Sequence, residues 1–452
     1  MENTENRTEN GNRLGTMPVG RLLAVMSVPT MFSMLIQALY NIVDSIFVSH
    51  YSEKALTAVS LAFPMQMLMI SFAVGTSVGI CSVISRRLGE NREDEANLTA
   101  ETGYALELLF MVMFVLIGAF LSGPFVSIYT DDPELSGMTV TYIRICLMVS
   151  LGSFVNVFCE KSLQATGDTI HPMIIQLSGA IFNVIFDPIL IFGYLGFPRL
   201  GVAGAAIATV AGQIFAMFIG LFFLKRNRYL KISMLRPKIG RNEAKDILTV
   251  GIPSIIMQGI GTIMTSSMNA ILIAYDVLAT TVFGVYFKLQ SFVFMPIFGL
   301  NSGLMPILGF NYGAKNRQRM MKALKLAIVF SFLFMSLGAL IFIVFPDSLL
   351  GLFNASDALK KIGEVALRTI AMSFPISAIC IVISALFQAM GDGFYSMVIS
   401  IVRQLFLLIP TAWLLGKLFG LDAIWYSFMV AEVFSLVLSL FFLRKELEKI
   451  RF

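Results

Sequence analysis

The chain is expected to be an all-α integral membrane protein whose twelve transmembrane helices form two six-helix bundles related by a parallel pseudo-two-fold repeat. Three observations predict it. Of the 452 residues, 57% are hydrophobic and 13% charged, where a soluble domain carries about 25% charged residues. Apolar stretches of helix length recur along the chain, without the ten-residue alternation of barrel strands. A set of glycine, proline and polar positions in the first half returns at one fixed distance in the second.

Apolar length, with charged or Gly/Pro punctuation, places the spans at about 18–48, 55–85, 96–122, 138–163, 169–194 and 201–224, then 245–274, 278–309, 319–345, 361–389, 394–417 and 421–443. Residues 1–17 and 444–452 are read as tails, 18–224 and 245–443 as the two bundles, and 225–244 as a basic linker. The first span is too long for a signal-peptide core, so no cleavage is expected. The N-terminal stretch to Arg21, 86–92, 225–245, 315–325 and the C-terminal tail hold 3, 3, 8, 5 and 4 Lys or Arg, 23 of the 33. The opposite loops hold Lys54, Arg199, Lys360, Lys361 and Lys417. Both termini are therefore expected on the cytoplasmic side. Basic residues confined to short loops are no nucleic-acid footprint. Cys81, Cys146, Cys159 and Cys380 lie inside spans with no CxxC pair and read as small apolar residues.

Every pair in the repeat has the same separation. Pro29 recurs as Pro253, Phe63 and Gln66 as Phe287 and Gln290, and Gly75, Gly79 and Gly89 as Gly299, Gly303 and Gly313. The run from Gln164 to Asp168, Gln-Ala-Thr-Gly-Asp, returns at Gln388 to Asp392 as Gln-Ala-Met-Gly-Asp. Six spans per half is an even number, so both halves enter from the same side and the repeat is parallel.

In the first span, Gln37, Tyr40, Asn41 and Asp44 fall at i, i+3, i+4 and i+7 and form one stripe. An ionisable group at membrane depth costs about 2.5–3.5 kcal/mol even on insertion scales, so the stripe must face protein or a water-filled cavity. In the fifth span Gln176, Asn183 and Asp187 share a face, and Pro188 frees a helix carbonyl beside Asp187. The fourth span adds Asn156 and the sixth Thr209. Two aspartates across a small cavity are costly when both are ionised, and one proton or one Na+ relieves that cost. Asp44 and Asp187 are expected to hold the coupling ion, with neutral oxygens from Asn183 and Thr209 and a hydrogen bond from Tyr40. If the ion is Na+, its ligands are Asp44, Asn183 and Asp187; such an all-oxygen set suits a hard cation. The residues leave H+ and Na+ both open. The repeat-equivalent positions of the aspartates are Met268 and Thr411, so the halves are unequal. Glu432 is expected to neutralise one of the deep cations Lys288 and Arg403.

The duplicated Gln-Ala-x-Gly-Asp element, the glycine-rich second and eighth spans, Tyr40-Asn-Ile-Val-Asp44 and Asn183-Val-Ile-Phe-Asp187-Pro188 together resemble the multidrug and toxic compound extrusion (MATE) family, in its DinF-like and MepA-like prokaryotic branch. The resemblance covers about Leu22 to Leu443. It implies a multi-pass protein of the prokaryotic inner (plasma) membrane that exports lipophilic, often cationic, drugs and dyes in exchange for H+ or Na+. It supports Tyr40, Asp44, Asn183 and Asp187 as the ion site, with Thr209 beside them, and Gln37, Asn41, Asn156 and Gln176 as drug-pocket positions. The acidic ligands of the family's NorM-like branch in the seventh and tenth spans have no counterpart here.

No GxxxxGK[ST] sequence occurs, so an ion gradient is the expected drive. With only His50 and His171, and no HExxH or GxSxG, an embedded enzyme is not expected, nor is a cofactor beyond the coupling ion. Partners are expected to be small molecules and lipid, with the chain acting as a monomer. The alternative within the wider superfamily is a flippase for a lipid-linked precursor, which would want a strongly cationic cavity; a scaffold without transport is the remaining alternative.

Overall fold

The structure, a computed structural model, describes residues 12–353 and 355–449, and of Asn41, Ile42, Ser45, Ser49 and Lys449 the backbone alone. A short α1 (Arg13–Thr16) precedes the long helices α2 (Val19–Tyr51), α3 (Glu53–Gly89) and α4 (Glu93–Phe120). After α5 (Ser122–Val126) come α6 (Pro133–Met148), α7 (Leu151–Ala165), α8 (Ile170–Phe192) and α9 (Val202–Lys225). The second half holds α10 (Arg241–Ile273), α11 (Val277–Gly313), α12 (Arg317–Val344), α13 (Pro346–Gly351), α14 (Asp357–Ala371) and α15 (Phe374–Met390). It closes with α16 (Gly393–Ile401), a π-helix (Val402–Leu408), α17 (Ile409–Phe419), α18 (Leu421–Ile424) and α19 (Tyr426–Lys449).

The repeat holds helix by helix: α3 and α11, α4 and α12, and α9 and α19 begin and end at the same separation that relates Pro29 to Pro253. Among the described residues, ten helical stretches are long and apolar enough to cross a bilayer, and counting each of two bent pairs as one span gives twelve. The spans expected as continuous at 138–163 and 361–389 are those pairs: α6 and α7, and α14 and α15, each bent by 47°. Pro375 in the first turn of α15 cannot donate backward and marks the second break. The first break, at Val149 and Ser150, has no such signal. The helices also outrun their apolar stretches; α3 and α11, at 37 residues each, are about 55 Å long, against a hydrocarbon core of about 30 Å.

The repeated Gln-Ala-x-Gly-Asp motif is a helix stop. Gly167 and Gly391 adopt φ of +95° and +96°, the left-handed conformation that only glycine takes without cost. Their N–H groups donate to Gln164 and Gln388, and the next N–H, of Asp168 or Asp392, donates to Leu163 or Phe387. This is the pairing that satisfies the last carbonyls of a helix.

Each half has its own apolar core. A third core straddles the halves at the end that carries the basic loops, with Met26, Ile80 and Ile84 against Ile247, Leu304 and Ile307. Glycine lets the backbones meet there: a Cβ on Gly79 would lie 2.3 Å from the Ile247 carbonyl oxygen, and one on Gly303 would lie 2.6 Å from that of Met26. Hydrogen bonds cross the same seam, from Thr30 Oγ1 to the Gly299 carbonyl (2.7 Å) and from Ser82 Oγ to the Gln388 carbonyl (2.6 Å). The first residues described dock there too. Arg319 Nη2 donates to the carbonyls of Leu14 (3.2 Å) and Met17 (2.7 Å), while Asn12 Nδ2 donates to Thr166 (3.3 Å) on the other half. At the C-terminus, α19 continues through the expected tail to Lys449; residues 1–11 and 450–452 lie outside the described residues.

Candidate coupling site and central cavity

Close approach of α8 and α9 builds the site. A Cβ on Gly204 would lie 2.5 Å from the Leu190 carbonyl oxygen, and one on Gly212 would lie 2.9 Å from that of Gly179. Small residues at a membrane-helix interface permit this, and it sets Asn183 of α8 beside Thr209 of α9. In the amide orientation that satisfies all its partners, Asn183 Nδ2 donates to Asp187 Oδ2 (2.5 Å) and its Oδ1 accepts from the Thr209 amide (3.1 Å) and hydroxyl (3.2 Å). Tyr40 of α2 lies beside the Thr209 side chain. Asp44, one turn further along α2, brings its carboxyl group into hydrogen-bond contact with that of Asp187.

Hydrogen bonds therefore link Thr209 through Asn183 to Asp187, with Tyr40 and Asp44 beside them. Asp187 is fully buried and Asn183 nearly so. Asp44 Oδ1 is buried with no partner. Two carboxyl groups in contact, away from bulk water, repel unless a proton or cation lies between them. The unpartnered oxygen and the neutral oxygens of Asn183 and Thr209 form a donor set that a hard monovalent cation fits.

The expected pocket residues divide. Gln176 Nε2 donates to Gln37 Oε1, tying α8 to α2. Asn156 lies one turn before Glu160 on α7, and its own Oδ1 is buried without a partner. The side chain of Asn41 lies outside the described residues. Gln37, Asn156 and Gln176 all line a cavity of about 740 Å³ between the halves, as do Tyr40, Asn183 and Thr209. Asp44 and Asp187 are not on its lining; they sit behind that neutral screen.

Two cavity residues escaped the sequence reading. Glu160 and Lys161 of α7 both face the cavity, and Lys161 Nζ donates to Gln164 Oε1 (3.0 Å) and across the halves to Ser302 Oγ (3.1 Å). Adjacent opposite charges just before a repeated motif were the available signal. Glu107 of α4 is also fully buried, accepting from Ser77 Oγ (2.7 Å) with its other oxygen unpartnered. On the second half, Arg403 Nη1 donates to Glu432 Oε1 (3.1 Å), as expected of Glu432, and the π-helix begins one residue before Arg403. Lys288 instead lies over the Phe353 ring, 6.0 Å from its centroid. Met268, at the position equivalent to Asp44, is buried in the second half's core.

Twelve spans in two repeat-related bundles around a central cavity, with carboxyl groups at depth beside it, define a membrane transporter of the two-bundle class. Residues 29–189 and 253–414 each match MatE, and the chain belongs to the MatE family. It is 27% identical over 401 residues to the FAD transporter of Shewanella oneidensis, covering 87% of this chain and 88% of that one. It is 25% identical over 417 residues to the multidrug export protein MepA of Staphylococcus haemolyticus, covering 92% and 91%. A crystal structure of MATE in complex with MaL6 superposes with a TM-score of 0.92 at 26% identity, over 98% of this chain and 99% of that one.

Proposed function

We propose that the protein is a cation-coupled antiporter that exports lipophilic organic compounds, cationic drugs and dyes among them, in exchange for H+ or Na+. The contact between Asp44 and Asp187 carries the reading, because such a pair is stable only with a positive ion between its members. The hydrogen bonds of Asn183 with Asp187 and Thr209, and Tyr40 beside them, connect that ion to the cavity wall. A substrate that moves Tyr40 or Asn183 alters the cage around the ion, and an ion that orders the cage alters the wall. Exchange requires only that ion and substrate favour opposed arrangements.

With the basic loops cytoplasmic, the seam of Gly79 and Gly303 closes the cavity to the cytoplasm, and rocking of the bundles would open it there. A membrane potential supplies about 2.3 kcal/mol per charge per 100 mV. The protein works in a prokaryotic plasma membrane, as a monomer, without a cofactor other than the coupling ion. The relative named for FAD extends the range of cargo to an anionic dinucleotide. The test is flux of a fluorescent cationic dye in proteoliposomes under separately imposed pH and Na+ gradients. Flux driven by either gradient is expected; flux driven by neither would overturn the reading.

A further inference from the structure

We infer that the central cavity is an anion-binding site, in which Lys161 and Arg403 hold the carboxylate or phosphate group of an amphipathic organic substrate. This rests on the reading of the cavity as the substrate's place and goes on to its charge. Carboxylates near a transport path suggest a cationic cargo only if they face it. Asp44 and Asp187 do not: Tyr40, Asn183 and Thr209 stand between them and the open volume. On the second half Glu432 is likewise off the lining, behind Arg403, so the pair presents its positive end to the cavity. Among the described residues, the Asp, Glu, Lys and Arg side chains on the lining are Glu160, Lys161 and Arg403, two of them basic.

The donors are arranged to be used. Lys161 spends two of its three N–H groups on neutral oxygens, those of Gln164 and Ser302, which position the ammonium; the carboxylate that acts on its charge is that of its neighbour Glu160, with which it forms no hydrogen bond. Arg403 has one of five N–H groups on Glu432 and lies on the cavity wall, where a planar fork suits a carboxylate or phosphate. The two cations belong to opposite halves, α7 and the π-helix. An anion that bridges them would be gripped in this arrangement and released when the halves part. The apolar remainder of the wall, with Met257, Met295, Met305 and Phe298, suits the greasy body of the same molecule.

Equilibrium binding to the purified full-length chain tests this without any gradient, so it can fail independently of ion coupling. The probes are 5-carboxyfluorescein for a carboxylate, 4-methylumbelliferyl phosphate for a phosphate and ethidium for a cation. The proposal expects at least one anionic probe to bind. It expects Lys161→Gln, and Arg403→Gln combined with Glu432→Gln, each to lower anion affinity relative to ethidium by at least tenfold, with Lys161→Arg restoring it. Which anion binds more tightly identifies the headgroup. Ethidium binding with neither anion bound, or anion binding unchanged in the neutral variants, would overturn the proposal. Loss of all three probes from the wild-type chain would overturn it together with the reading of the cavity.

Discussion

Gly303 stands against Met26 so closely that a Cβ would come within 2.6 Å of the Met26 carbonyl oxygen, and its repeat equivalent Gly79 meets Ile247 in the same way at 2.3 Å. The duplicated chain thus closes one end of the cavity twice over, with one glycine from each half. The obstructing atoms are backbone, so a side chain there cannot be accommodated by rotation. Gly303→Leu is expected to hold that end apart. In a protein whose only cysteine is Cys81, which lines the cavity, labelling by a thiol reagent from the basic-loop side should rise at least tenfold. Unchanged labelling would mean that the glycine seam is not the barrier.

Arg319 ties the residues before α2 to the second half through the carbonyls of Leu14 and Met17. Hydrogen bonds from a charged donor contribute about 1.5–3 kcal/mol. Arg319→Ala should release this segment, seen as faster proteolysis within residues 12–17 while the thermal unfolding of the bundles changes little. Equal proteolysis of both proteins would contradict the docking.

Asn183→Leu should break the path from Tyr40 to the carboxyl pair. It leaves Asp187 Oδ2 and the Thr209 amide without their partner in a buried site, at a cost of about 1–3 kcal/mol. Gradient-driven dye flux is expected to fall at least tenfold in proteoliposomes. Gln37→Ala, which removes a contact at the exposed edge of the cavity, should reduce it far less. Equal effects of the two substitutions would separate Asn183 from coupling.

Glu432→Ala should destabilise the second half, because it strands Arg403. Breaking a buried pair costs about 3–5 kcal/mol, and side-chain exposures of 25% and 13% for Arg403 and Glu432 put this pair at the lower end. Replacing both residues, Arg403→Met with Glu432→Leu, should recover most of the loss in a thermal unfolding assay in detergent. A double variant as unstable as the single one would contradict this account.

Much of this was legible in the sequence because the signals were local or repeated. Helix length in apolar residues gave the spans, the constant separation of pairs such as Gly79 and Gly303 gave the two halves, and the spacing of Gln37, Tyr40 and Asp44 put them on one face. Asn183 and Asp187, one turn apart, carried the same information on α8. What the sequence did not display was depth. Asp44 and Asp187 read as cavity-lining acids, whereas helix rotation places them behind neutral groups. Glu160 and Lys161, neighbours of opposite sign, were not singled out by the sequence, yet both face the cavity. The bend at Val149 lacks the proline that marks its counterpart at Pro375, and Leu14 lies in a polar stretch whose docking depends on Arg319, far along the chain in the second half.

The most direct test of the central claim compares the wild-type chain with Asp44→Asn in proteoliposomes, measuring dye binding and gradient-driven dye flux on the same preparations. The account predicts retained binding with driven flux reduced at least tenfold, because the variant keeps the cavity wall and loses one of the two charges that hold the ion. Driven flux equal to that of the wild type would contradict it.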